Sequence, residues 1–198
     1  MLFGKYPLPG SGQMPDPISW FVLDETDTAL LLFSECVLDF MPFTDVFRTR
    51  DRGWIDSDIR KWLNGDFYEH TFSEAEKKRI LPAEHRPVEN RWYAQDLTAV
   101  CEDRVFLLDI DEVYRYLSGR EIRKALLTPY ARSIDADEDP WWWTRSCGVS
   151  GYDGALVHSV NVAFAVWHNW NGEPLSEAEM PTETETDLGI RPALWLRK

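Results

Sequence analysis

Basic residues are scarce in this chain. Its 21 Lys and Arg stand against 34 Asp and Glu, for a formal charge of -13. Between Ser146 and Ile190 no Lys or Arg occurs, while Asp153, Glu173, Glu177, Glu179, Glu183, Glu185 and Asp187 accumulate. Nucleic-acid binding rests on clustered cations that displace counterions, so no nucleic-acid partner is expected. The same negative field turns the chain away from anionic membrane surfaces. Cysteine is sparse too: Cys36, Cys101 and Cys147 are odd in number and far apart, unlike a disulfide framework or a zinc CxxC pair. Long apolar runs are missing. The longest, Ala29 to Phe33, falls far short of the roughly 20 residues a helical bilayer crossing needs. Met1 to Pro7 holds no apolar leader core, so the expected location is cytoplasmic. No GxSxG, P-loop or dinucleotide glycine pattern occurs, which leaves the catalytic residues unknown. His70, His85, His158 and His168 are dispersed without metal-ligand spacing, so neither a metal nor a cofactor is expected.

Large apolar side chains are abundant. Hydrophobic residues make up 44% of the 198 positions and include 10 Trp, enough to build a core and to exclude disorder for most of the chain. The length fits a single domain over residues 1–198. Ile18 to Leu23 and Ala29 to Phe33, joined by the polar Asp24 to Thr28, predict an early β-hairpin. Ser57 reads as the N-cap of a helix with Ile59, Trp62, Leu63 and Phe67 on one face and a break at Asn64-Gly65. Ser73 and Glu76 fit a capping box opening a second helix that stops at Leu81-Pro82. Val105 to Leu108 reads as a buried strand. A helix over Glu112 to Leu117 is capped by Asp109 or Asp111, and a short helix over Arg120 to Leu127 ends at Thr128-Pro129. Strands are expected at Trp141 to Arg145, Ala155 to His158, Val160 to Trp167 and Ile190 to Leu196, with a long loop over residues 169–187.

A set of segments carries a family resemblance. In order they are Gly4-Lys5-Tyr6, the hairpin, Trp54, Ser57 to Asn64 with its Arg60-Lys61-Trp62-Leu63-Asn64, and Phe72-Ser73 with Glu76. Val105 to Leu108 with Glu112, Trp142 to Ser146 and Arg191 to Trp195 follow. Together they resemble the bacterial domain of unknown function numbered 6273, common in gut-dwelling Firmicutes. The chain departs from that pattern at Asp109, where Ser is usual, and at Thr144, where Leu is usual. The order of elements is also similar to C-type-lectin-like folds, which implies an α+β architecture with two to four short helices. Antiparallel C-terminal strands would then carry ligands on long loops.

Those expectations select candidate residues. Alternation along a strand puts Trp142 in the core and Trp141 and Trp143 together on the other face, a stacking platform for sugar rings or an apolar partner. The competing reading packs all three tryptophans inside. With Tyr152, Trp167, Asn169 and Trp170 they form the expected ligand-binding set, for an unknown glycan or protein ligand. Arg60, Trp62, Asn64, Arg145 and Arg191 read as structural. The last two sit inside apolar strands and need partners such as Asp109, Glu112 or a backbone carbonyl. Asp135 to Asp139 places carboxylates at alternating positions but lacks the glycine and distal glutamate of a calcium loop, and reads as a solvated acidic segment.

The function expected from sequence is a non-catalytic recognition module of unknown oligomeric state. One alternative is an enzyme with a noncontiguous site built from Cys147, His158, His168 and Asp153. Another is a structural or assembly domain.

Overall fold

The structure is a computed structural model that describes residues 1–7, 10–44, 53–89, 98–118, 120–138, 140–148, 154–158, 161–163 and 187–198. It is a mixed α+β architecture. The N-terminal part supplies β1 (Leu2–Tyr6), β2 (Asp16–Glu25), β3 (Ala29–Ser34), β4 (Cys36–Val37) and β5 (Asp39–Met41). A 3-10 turn at Gly53–Asp56 leads to α1 (Asp58–Trp62), a wide turn at Leu63–Phe67, α2 (Tyr68–Thr71) and α3 (Glu74–Lys77). Then come β6 (Ile80–Leu81), β7 (Ala83–His85), β8 (Cys101–Asp103), α4 (Ile110–Tyr116), α5 (Arg120–Arg123), β9 (Leu126–Leu127) and α6 (Pro129–Ile134). The C-terminal strands are β10 (Trp142–Cys147), β11 (Gly154–His158), β12 (Asn161–Ala163), β13 (Leu188–Ile190) and β14 (Ala193–Arg197).

One sheet runs β1-β2-β3-β14-β6 and is antiparallel throughout; the other runs β12-β11-β10-β13-β5, with β10 and β13 parallel and its other pairs antiparallel. Short pairs β4-β9 and β7-β8 flank them. Trp20, Leu31, Leu32, Phe33, Phe43, Ile59, Leu63, Phe67, Phe106 and Trp142 are buried in one continuous cluster shared by strands and helices.

Local chemistry explains most boundaries. The Ser57 hydroxyl accepts from the Arg60 N–H at the start of α1, and Gly65, outside helical geometry, breaks the helix where Asn64-Gly65 predicts it. Ser73 and Glu76 close a capping box on α3, and Asp109 and Glu112 close another on α4. Elsewhere the fold departs from expectation. The second helix ends at Lys77, because Ile80 and Leu81 pair with Leu196 and Trp195 as a sheet edge. Thr128-Pro129 starts a helix instead of ending one: the Thr128 hydroxyl accepts from Ala131 N–H, and Pro129 sits in the first turn, where a missing N–H costs nothing. Val105 to Leu108 is fully buried but forms one bridge, Phe106 to Ala193, instead of a strand. The expected strand over Val160 to Trp167 is described only as β12, and residues 164–167 lie outside the described residues.

The largest departure is at the C-terminus. Ile190 to Leu196 is not one strand but two, in different sheets, divided at Arg191-Pro192. Arg191 at that joint is completely buried. Its Nε and Nη2 donate to Ser34 O at 3.2 and 3.1 Å, Nη2 donates to Glu35 O at 3.1 Å, and Nη1 donates to Ile122 O at 3.3 Å. The guanidinium also lies 4.3 Å from the Phe33 ring centre and 5.0 Å from that of Trp142. Burial pushes its pKa down, yet a guanidinium starts so far above neutrality that it stays a cation.

Replacing Arg191 with Met would remove the cost of burying a charge but would leave the Ser34 and Glu35 carbonyls without these donors. At about 1–3 kcal/mol for each orphaned buried group, the carbonyls decide the sign. We expect Arg191→Met to lower unfolding free energy by about 2–4 kcal/mol in urea melts; an unchanged midpoint would mean that other donors re-pair those carbonyls.

Candidate functional site: a polar cleft at one end of β10

Two carboxylates organise the site. Asp103, at the end of β8, is 1% exposed and collects four donors. Arg60 Nε reaches its Oδ1 at 2.7 Å and Asn64 Nδ2 at 3.2 Å, while Trp54 Nε1 reaches Oδ2 at 2.9 Å and the Cys101 thiol at 3.5 Å. Arg60 and Asn64 can converge there because α1 and the following turn place positions four apart on one face. Asn64 does more: its Nδ2 donates to Arg60 O and Val105 O, and its Oδ1 accepts from Arg104 N–H and Val105 N–H. One amide therefore stitches the helix to the buried segment that precedes α4.

The second carboxylate, Asp109, caps α4 and faces Arg145 on β10. Both terminal nitrogens of Arg145 lie 2.7 Å from Asp109 Oδ2, and Nη2 is 3.1 Å from Glu112 Oε2. Burial raises the Glu112 pKa against the opposing pull of Arg145. Ser146 Oγ accepts from Ile110 N–H at 3.1 Å, so β10 also tends the N-terminus of α4.

Between these two centres lies a small cleft lined by Trp54, His85, Arg86, Cys101, Arg145 and Cys147, with about 10 Å³ of free space, room for roughly one water. β7 and β8 bring His85 opposite Cys101. The His85 ring stands 4.3 Å from the Phe106 ring, and burial, together with the charges of Arg145 and Arg60, pulls its pKa down to about 3. His85 is therefore neutral at physiological pH. Burial pushes both thiols the other way, Cys101 to about 11 with help from Asp103, and Cys147 to about 11. Gly53, at φ 66°, lets the chain pass over Cys147; a Cβ there would sit 2.1 Å from its Sγ.

Trp62 is half-buried, edge-on to Tyr6 and packed on Phe67. Trp142 is fully buried and donates to Arg123 O. Trp143 is 3% exposed, donates to Met41 O at 3.0 Å and packs edge-on to Phe43. The expected alternation is absent because β10 lies inside its sheet and is covered on both faces. Trp141 is half-buried. Tyr152, Trp167, Asn169 and Trp170 lie outside the described residues, as do Asp153 and His168, while only the backbone of His158 is described. Sequence reasoning missed Asp103, His85 and Trp54 as site groups. The usable signal was Cys101-Glu102-Asp103, whose first and third residues share a strand face, but only the fold reveals that this face meets Arg60 and Asn64. Among the described residues no group of three or more His, Cys, Asp or Glu could hold a metal ion, and no helix is long and apolar enough to cross a membrane.

Two measurements follow. Asn64→Asp keeps the shape but sets a carboxylate oxygen against Asp103 and Val105 O; we expect a loss of about 2–4 kcal/mol in urea melts, and an unchanged stability would remove Asn64 from this role. His85 binds its proton more weakly folded (about 3) than free (6.5), so the unfolded chain holds more protons between those values. Stability linked to His85 is thus complete above pH 6.5 and is lost as pH falls towards 3, by roughly 4–5 kcal/mol at the limit. Comparing urea melts of wild type and His85→Phe from pH 7 to 4 isolates this contribution: the wild type should lose more stability than the variant, and parallel losses would contradict it.

No curated protein sequence and no solved structure matches the chain. The family described as Domain of unknown function (DUF6273) has a model that matches residues 27–198. That span runs from the β2–β3 turn to the last residue and takes in both carboxylate centres and the cleft, and the chain belongs to this family.

Proposed function

We propose that this chain is a non-catalytic ligand-recognition domain, one unit over residues 1–198 with a C-type-lectin-like architecture. Its ligand, a glycan or a protein segment, is held on the C-terminal loops by Trp141, Tyr152, Trp167, Asn169 and Trp170. Trp143 acts from beneath, as a support. The observation that carries this reading is the protonation of the cleft. A nucleophilic cysteine works as a thiolate beside a base of matched pKa. Here the cleft thiols sit near 11 and the adjacent histidine near 3, so at neutral pH both thiols keep their protons and the imidazole takes none. Such groups hydrogen-bond well and react poorly.

The placement on the C-terminal loops draws support from register. Cys147 and Gly154 are partners across β10 and β11, so the connection holding Tyr152 leaves and returns beside the cleft.

Alkylation by iodoacetamide at pH 8 tests the non-catalytic part. Thiols near 11 are about a hundredfold less ionised there than thiols near 9, partly offset by higher intrinsic nucleophilicity. We expect Cys101 and Cys147 to react at least about tenfold more slowly than glutathione. A faster reaction at either would sink the reading in favour of a thiol enzyme. Recognition itself is tested by thermal shift against simple sugars, cell-wall fragments and peptides. A ligand at 100 times its Kd adds about 2.7 kcal/mol, whereas silence with concentration-dependent melting would favour an assembly domain.

A further inference from the structure

Two nitrogens in the cleft lack a hydrogen-bond partner among the described residues: His85 Nε2 and Arg145 Nε. The residues that carry them are 6% and 8% exposed. Buried polar atoms are rarely left unpaired, and a native exception calls for an explanation. Both residues line the same small space, which is bounded on its other sides by Trp54, Ile55, Arg86, Pro87, Cys101 and Cys147. We infer that this cleft is a subsite for one secondary-amide carbonyl oxygen of the ligand, which accepts hydrogen bonds from Arg145 Nε and from His85 Nε2 in its Nε2–H tautomer.

The chemistry of the lining selects that group. A guanidinium nitrogen only donates, so the incoming atom is an acceptor. Charge then chooses between a carboxylate and a neutral carbonyl. Arg145 already holds Asp109 and Glu112, Arg60 already holds Asp103, and Arg86, which also lines the space, already holds Glu84. A further anion would be the fifth carboxylate around three guanidiniums, in a site where burial already raises the Glu112 pKa. A neutral acceptor satisfies both nitrogens without that repulsion. The apolar and thiol walls suit the carbon attached to the carbonyl, and the free space of about 10 Å³ admits a small group and excludes a sugar ring. A peptide bond and the acetamido group of an amino sugar share this chemistry.

The inference rests on the recognition reading but has its own test. Titrate the intact chain with N-methylacetamide, N-acetylglucosamine, acetate and glucose, following the His85 imidazole nitrogens and the Trp54 indole N–H by NMR. The expected result is a saturable shift with Kd roughly in the millimolar range for an amide of this size, at both reporters, with N-methylacetamide or N-acetylglucosamine. The stronger of the two names a peptide or an acetylated sugar as the source. His85→Phe, which keeps a ring beside Phe106, should weaken the Trp54 response at least tenfold. Reporters unmoved by both amides, or moved equally by acetate or glucose, would overturn the subsite and leave water as the occupant. That failure would leave the alkylation result untouched, so the broader reading and this one fail separately.

Discussion

A buried guanidinium fixes where the chain leaves one sheet for the other. Arg191 stands between β13 and β14, which belong to different sheets, and its donors span the end of β3 and the turn after it as well as α5. Next to it, Pro192 cannot donate to a ladder, so a continuous strand through this point is disfavoured, and its carbonyl instead accepts from Ser34 N–H. Both sheets thus meet at one cation. Trp142 closes the arrangement from the second sheet, packing at a tilt against Phe33 and donating to the same Arg123 carbonyl that faces Arg191. Because Trp142 begins β10, the residue that locks the sheets together also sets where the far end of that strand comes to lie.

That far end carries the site. Arg145 and Cys147 point to the cleft from β10, His85 and Cys101 come from the β7–β8 pair, and Trp54 comes from the turn before α1. None of these elements is long, and several are shorter than an isolated strand or helix could sustain. Their alignment comes from polar contacts of long sequence range: Arg60 and Asn64 to Asp103, and Arg145 to Asp109. Buried ion pairs of this kind are weak as net stabilisers, because desolvation offsets much of their attraction. Their effect here is geometric, since each carboxylate has donors on several elements and only one arrangement satisfies them all.

Legibility in the sequence followed the range of the interaction. The caps at Ser57, Ser73 and Asp109 were readable because donor and acceptor lie three residues apart. The hairpin of β2 and β3 was readable from its apolar runs and polar turn. Thr128-Pro129 misled, because proline after a capping residue ends one helix or begins the next with equal local sense. Ile190 to Leu196 misled in another way: both halves are apolar and extended, and nothing local shows that they enter different sheets. The cleft was largely unreadable. His85 and Asp103 lie far from Arg145 in sequence, and ordinary surface residues would read the same until β7, β8 and β10 meet. The three-tryptophan run was ambiguous for a related reason, since alternation predicts two faces only when one of them is wet.

An acidic chain that sets Arg60, Arg86 and Arg145 against Asp103, Glu84, Asp109 and Glu112 has arranged local pairs instead of a field. Asp103 pairs with Arg60, Asp109 pairs with Arg145, and Glu112 is a second carboxyl on Arg145. Burial raises its proton affinity, despite Arg145 beside it. His85 adds nothing to the sum, being held neutral by burial, with help from the same cations that the acids pair with. A cleft whose charges are matched internally exerts little pull on ions from solvent. What it still presents is direction, in the form of buried nitrogens with no hydrogen-bond partner among the described residues. Selectivity in such a place depends on whether a neutral oxygen can reach those nitrogens with the right shape behind it. The net negative charge of the chain acts at longer range, disfavouring anionic ligands before they arrive.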